Sequence, residues 1–200
     1  MSFIYKATDA IFDSMKPYME NKSEDDLEIA KYGLNLFLME LYKLPIFLGL
    51  SYFLGIFKYS ILSYLLFGLI RSNAHGIHMK NGKMCLFYSC IAFFTLIYIS
   101  KLLFIPINIK LSLSILILYL LYKYAPSDTE QRPLLNELTR KRKKRFSIST
   151  GIIYIFISLI SNSQTIANIF LFVLLFECIA IHPTTYKIFN RRYKNYENFE

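Results

Sequence analysis

The chain has 200 residues, of which 54% are hydrophobic, 17% aromatic and only 18% charged, an apolar content too high for a water-soluble domain of this length. Its 18 Phe and 16 Tyr against 7 Gly and 6 Pro exclude disordered, collagenous and linker-like chains, because so much apolar surface cannot stay in water. A net charge of +9 would suit nucleic acid, but the basic residues flank apolar runs rather than forming a polar domain, which points to membrane topology and lipid contact and away from nucleic acid. Cys85, Cys90 and Cys178 are too few and too scattered for a disulfide framework. The expectation is an all-α polytopic membrane protein with a single membrane-embedded domain over residues 1–200.

Residues 1–31 are rich in acids and hold no continuous apolar core, so they read as a retained cytoplasmic or interfacial N-terminus rather than a signal peptide. Ile4, Ala7, Ile11, Met15 and Tyr18 recur at three- and four-residue spacing. That pattern predicts an amphipathic helix, either lying in the membrane interface or packed as a short cytoplasmic helix. Ser23 followed by Glu24, Asp25 and Asp26 has the form of a capped helix start. Residues 32–70 are almost wholly apolar, broken by Glu40, Lys43 and Lys58, and are long enough for two crossings. Later runs cover residues 85–105, 111–124, 146–160 and 166–181. Several fall short of the roughly 20 residues of a comfortable span, and flanking Tyr and Lys can complete them from the interface. The spans carry little charge, which gives little support to an ion pathway.

Positive charge orients these segments, because loops rich in Lys and Arg stay in the cytoplasm. Residues 140–145 are consecutively basic, and with Arg191, Arg192 and Lys194 they place the basic loop 125–146 and the C-terminus inside. Residues 161–165 go outside; counting back puts 105–108 outside and the loop 71–84 inside. A cytoplasmic N-terminus then requires two passes, or a re-entrant pair, between residues 32 and 70. About six transmembrane or re-entrant helices are expected, with both termini cytoplasmic. The basic run reads chiefly as a retention signal, with the attraction of an acidic peptide as a second role.

The loop from Arg71 to Cys85 gathers two of the chain's three histidines and one of its cysteines. Asn81-Gly82 is a turn signal, so His78 and Cys85 are expected on opposite sides of a bend, where their side chains can meet. Cys85 would begin the next helix, where the positive end of the helix dipole and Lys83 favour thiolate. His78 within hydrogen-bond reach could take the thiol proton and later protonate a leaving amine. Two other readings remain open from the residues alone. One is a buried thiol packed as a small hydrophobe; the other is a metal site of His75, His78, Cys85 and Cys90, which Gly76 and the Asn81-Gly82 bend disfavour.

Leu69-Ile70-Arg71, then Ala74-His75-Gly76-Ile77-His78, then Cys85 after six intervening residues, resembles the signature of the accessory gene regulator B family, the membrane endopeptidases of Gram-positive quorum sensing. The block at residues 124–133, Tyr-Ala-Pro-Ser-Asp-Thr-Glu-Gln-Arg-Pro, followed by the basic stretch, is similar to that family's later cytoplasmic loop. The resemblance implies a multi-pass cysteine protease of the bacterial cytoplasmic membrane that needs no cofactor or metal. Its substrate would be a short propeptide with an internal cysteine, cut near the C-terminus. Cys85 would be the nucleophile and His78 its base; the thioester left on the enzyme would be displaced by the peptide's own cysteine to give a cyclic thiolactone. Arg71 and Gly76 match further family positions and are read as supporting the loop or the substrate carboxylates. A homodimer is also implied. Many members have a pair of glycines where this chain has His75-Gly76, so both His75 and His78 stand as candidate bases, with spacing favouring His78.

Glu40 and Lys43 read first as an interfacial pair, with a substrate-contacting Glu40 as the sharper alternative. His182 before Pro183 reads as a helix-end residue, and Cys178 as structural. Asp128 could orient the catalytic histidine, and the third member is left unassigned. The competing class is a non-enzymatic transporter or sensor subunit, in which Cys85 would be dispensable.

Overall fold

The computed structural model describes residues 3–19, 23–77, 82–128 and 134–198. The chain divides into two compact units, Met1–Leu50 and Ser51–Glu200. Among the described residues the regular elements are helices: α1 (Phe3–Met15), α2 (Glu24–Phe53), α3 (Phe57–Ala74), α4 (Gly82–Leu102), α5 (Ile107–Tyr124), α6 (Glu137–Ile160), α7 (Gln164–Ile181) and α8 (Pro183–Ile188). Helices satisfy every backbone polar group within the segment, as a chain without water around it must. Four of them, α2, α4, α5 and α7, are long and apolar enough to cross a membrane. With α3 and α6 they account for each apolar run of the sequence, so the expected all-α polytopic architecture holds.

In the first unit α1 forms as the spacing predicts, but its buried positions are Thr8 and Phe12. Ile11, Met15 and Tyr18, on the predicted apolar stripe, stay exposed. Polar contacts hold α1 on α2: Asp9 pairs with Lys31 at 2.7 Å, and Thr8 Oγ1 lies 3.2 Å from Asn35 Oδ1. Ser23 caps α2 as expected, its Oγ accepting from Asp26 N at 3.2 Å. Glu40 pairs with Lys43 along α2 at 2.6 Å.

In the second unit α7 is the central helix, packed against α3, α4, α5 and α6. Ala167, Ile169, Leu171, Val173, Leu174 and Ile181 are fully buried. The surrounding helices approach through small side chains: Ser60 and Ser63 on α3, and Ser147, Gly151 and Ser158 on α6, are buried. Without a hydrophobic drive between helices in lipid, such close approach and interhelical hydrogen bonds do the joining. A Cβ on Gly151 would stand 2.7 Å from Leu121 Cδ1 of α5. Tyr154 Oη donates to Leu66 O of α3 at 2.9 Å, and Asn168 Nδ2 of α7 donates to Ser100 O of α4 and to Leu103 O just beyond its end at 3.1 and 2.8 Å.

The basic stretch departs from the loop that the sequence suggests. Residues 140–145 are already helical, because α6 starts at Glu137. Asn136 Oδ1 accepts from Thr139 N at 3.1 Å, Glu137 sits in the positive first turn and pairs with Lys141 at 2.6 Å, and Lys and Arg are good helix formers.

Candidate functional site

The loop that follows α3 is built on main-chain hydrogen bonds from three elements. His75 terminates α3 with φ 60°, its N–H donating to Arg71 O at 2.9 Å. Gly76 N donates to Ser127 O at 3.0 Å, Ser127 N to Ala74 O at 2.9 Å, and Ile77 N to Ala180 O at 3.2 Å. His75 and Ser127 thereby form an isolated parallel β-bridge. The end of α3, the segment after α5 and the end of α7 are tied at one junction, from which the chain leaves through Ile77.

Gly76 is at φ 108°, a conformation L side chains rarely adopt. A Cβ there would lie 2.7 Å from Arg71 Nη1 and 3.1 Å from Ala180 O. Arg71 and Gly76, both expected as supporting residues, are therefore in direct apposition. Arg71 Nη2 donates to the Ile77 carbonyl, while Nη1 lies 3.5 Å from Glu177 Oε2. The guanidinium also covers the Phe67 ring at 5.4 Å, itself packed at 5.2 Å on both Phe93 and Phe176. Arg71 thus serves the loop fold by visible contacts.

Cys85 is a half-buried thiol in the first turn of α4, as the sequence leads one to expect. His78, Met79, Lys80 and Asn81 lie outside the described residues, so the expected approach of His78 to Cys85 and the bend at Asn81 fall there as well. His75 has its Nε2 buried in the junction. Glu40 stands on α2 in the first unit. Cys90 and Cys178 are buried, Cys178 on α7 with Sγ 3.8 Å from Ile117 O. Among the described residues there is no group of three His, Cys, Asp or Glu side chains placed to hold a metal ion. His182 caps α8, its Nδ1 accepting from Thr184 N at 3.2 Å, with its ring 4.8 Å from that of Tyr124.

Asp128 holds the tail by its carboxylate. It is 2% exposed, and its carboxylate accepts from Asn195 N at 2.8 Å and Tyr196 N at 2.9 Å. Tyr186 Oη donates to the Asp128 carbonyl at 2.9 Å, and burial pushes that phenol up to about 12. The C-terminal tail is thus bound to the segment that holds His75 and Gly76. Over the same end, Lys143 Nζ donates to Ser72 O at 3.1 Å and the Arg140 guanidinium lies 4.0 Å from the Tyr196 ring centre.

Sequence reasoning passes over Glu177, the fully buried acid that meets Arg71. A lone carboxylate within an apolar run is the signal that could have found it, since an ionisable group at that depth needs a partner.

The family model for accessory gene regulator B matches residues 8–181, which include every residue of this site up to Ile181. A protein of Clostridium acetobutylicum named as AgrB-like is 36% identical over 170 residues, covering 85% of this chain and 81% of its own. One so named from Listeria innocua is 31% identical, with 85% and 83% covered. Accessory gene regulator protein B of Staphylococcus aureus is 29% identical over 175 residues, with 86% and 92% covered. No solved structure matches.

Proposed function

Since the chain belongs to the accessory gene regulator B family, we propose that it is a membrane cysteine endopeptidase maturing a quorum-sensing propeptide, with Cys85 as nucleophile and His78 as base. The observation that carries the reading is the junction around Gly76. It holds the chain rigidly up to Ile77, the residue before His78, and Cys85 stands in the first turn of the next helix. Four residues outside the described set separate the two fixed ends, a short tether for a histidine and a thiol that must meet. His75 is committed to the junction through its backbone bridge to Ser127 and its buried Nε2, which favours His78 as the base.

The chemistry follows from those roles. His78 takes the Cys85 Sγ proton as the thiolate attacks a peptide carbonyl in the C-terminal part of the propeptide. The C–N bond breaks, the proton passes from His78 to the leaving amine, and the N-terminal fragment stays on Cys85 as a thioester. The peptide's internal cysteine thiolate then attacks that thioester and releases the Cys85 thiolate with a cyclic thiolactone. One thioester replaces another, so no nucleotide or other cofactor is required. The basic start of α6 faces the loop through the Lys143–Ser72 contact, and its charge would favour an acidic segment of the peptide. The proposed topology has six segments in the bacterial cytoplasmic membrane and both termini cytoplasmic; cysteine labelling at position 142 from the outside would refute it.

The test is co-expression with a candidate propeptide and mass spectrometry of its products. Cys85→Ser and His78→Ala abolish cleavage and His75→Ala spares it if the dyad is right. Equal processing by all variants would replace the protease by a transporter or sensor subunit.

A further inference from the structure

Glu177 lies 106 residues from Arg71 in sequence and on a different helix, has no exposed surface, and belongs to the helix that the rest of the second unit surrounds. Its Oε1 has no hydrogen-bond partner among the described residues, so its one ionic contact is Oε2 to Arg71 Nη1 at 3.5 Å. A carboxylate buried in the bundle with so little compensation is costly, and a chain concerned with packing alone would place an apolar side chain there.

The guanidinium shows what the cost serves. Its two terminal nitrogens point at different things, Nη1 at Glu177 and Nη2 at the Ile77 carbonyl. A planar fork held at one prong by a rigid helix directs the other prong, which a flexible ammonium cannot do. The Phe67 ring under the guanidinium and Gly76 close to Nη1 flank the fork in this seat. The Ile77 carbonyl is the peptide unit joined to His78. We infer that Glu177 is a positioning residue: through Arg71 it fixes the peptide from which the proposed base His78 extends, and so sets the alignment of His78 on Cys85. This rests on the protease reading above and adds to it a residue of the central helix, distant from the loop in sequence. It also assigns Arg71 to the loop rather than to a substrate carboxylate.

The experiment uses the full chain in liposomes with a candidate propeptide that carries an internal cysteine, and measures kcat and KM per folded molecule. Wild type and Cys85→Ser come first. If they process the peptide equally, the protease reading and this inference both fall. If only wild type processes it, Glu177→Gln decides the inference alone. Misplacing a catalytic group by about an ångström costs roughly a hundredfold, so kcat is expected to drop by that order with KM unchanged, and Glu177→Asp to recover part of the loss.

A purely structural role is separated by the double variant Arg71→Leu/Glu177→Leu. Removing both charges of a buried pair is tolerated far better than removing one, so this variant should melt near wild type yet process the peptide as poorly as Glu177→Gln. A Glu177→Gln protein with kcat within about twofold of wild type, or a double variant that processes the peptide normally, would overturn the inference. A rise in KM at constant kcat would overturn it too, by returning Arg71 to substrate binding.

Discussion

Gly76→Ala concentrates the strain of the junction in a single methyl group. At φ 108° any L side chain is strained, by about 1–3 kcal/mol. The added Cβ would also stand 2.7 Å from Arg71 Nη1, well inside contact, so the guanidinium must leave Glu177 and Ile77 or the backbone must turn. Losing a hydrogen bond to a charged group costs about 1.5–3 kcal/mol, which brings the total to about 2.5–6 kcal/mol. For a chain of this size each kcal/mol moves the melting temperature by roughly 2–4 °C, so a fall of at least about 5 °C is expected. The thiols report it: Cys90 and Cys178 are buried, and a fluorogenic maleimide reaches them on unfolding. Gly68→Ala is the control, on α3 with nothing within 4 Å of its added Cβ, and should be neutral or gain about 0.5–1 kcal/mol. Propeptide processing should be lost in Gly76→Ala and kept in Gly68→Ala. If the two variants melt together and process alike, the account of the junction is wrong.

Three further outcomes follow from the same contacts. Asp128→Ala should free the tail, since two amides lose their carboxylate; at about 1.5–3 kcal/mol for such a charged bond, trypsin should cut after Arg191, Arg192 or Lys194 at least about tenfold faster in detergent solution. Asn168→Ala should destabilise by about 1–3 kcal/mol, because the carbonyls of Ser100 and Leu103 lose their buried donor; the maleimide melt measures it. Burial moves the Tyr186 phenol from 10.0 to about 12, so the folded chain keeps a proton that the unfolded chain releases. Its contribution is whole below pH 10 and is lost as pH rises to about 12. Alkaline unfolding should therefore be shallower in Tyr186→Phe across that range, and identical slopes would refute the burial argument.

Much of the architecture was legible in the chain itself. Apolar runs, the basic cluster and the Ser23 cap are local signals, and the helices end close to where those runs end. The loop at residues 71–85 stood out because His, Cys, Gly and Arg crowd into a segment between two apolar runs. Packing partners were less legible: α1 buries Thr8 and Phe12, and its Asp9–Lys31 and Thr8–Asn35 contacts depend on which helix lies alongside. The start of α6 was also hidden, because consecutive Lys and Arg read as a solvated loop although they extend a helix readily.

The sequence by itself determined the membrane class, the long helices and the identity of the loop that holds Arg71, Gly76, His78 and Cys85, because hydropathy, turn chemistry and residue type act over a few neighbouring positions. Only the tertiary structure decided what supports that loop. Glu177 reaches Arg71 across 106 residues, and Asp128 is taken by the tail amides of Asn195 and Tyr196. Such pairings arise from which helix ends share one face of the bundle, and no local pattern encodes that.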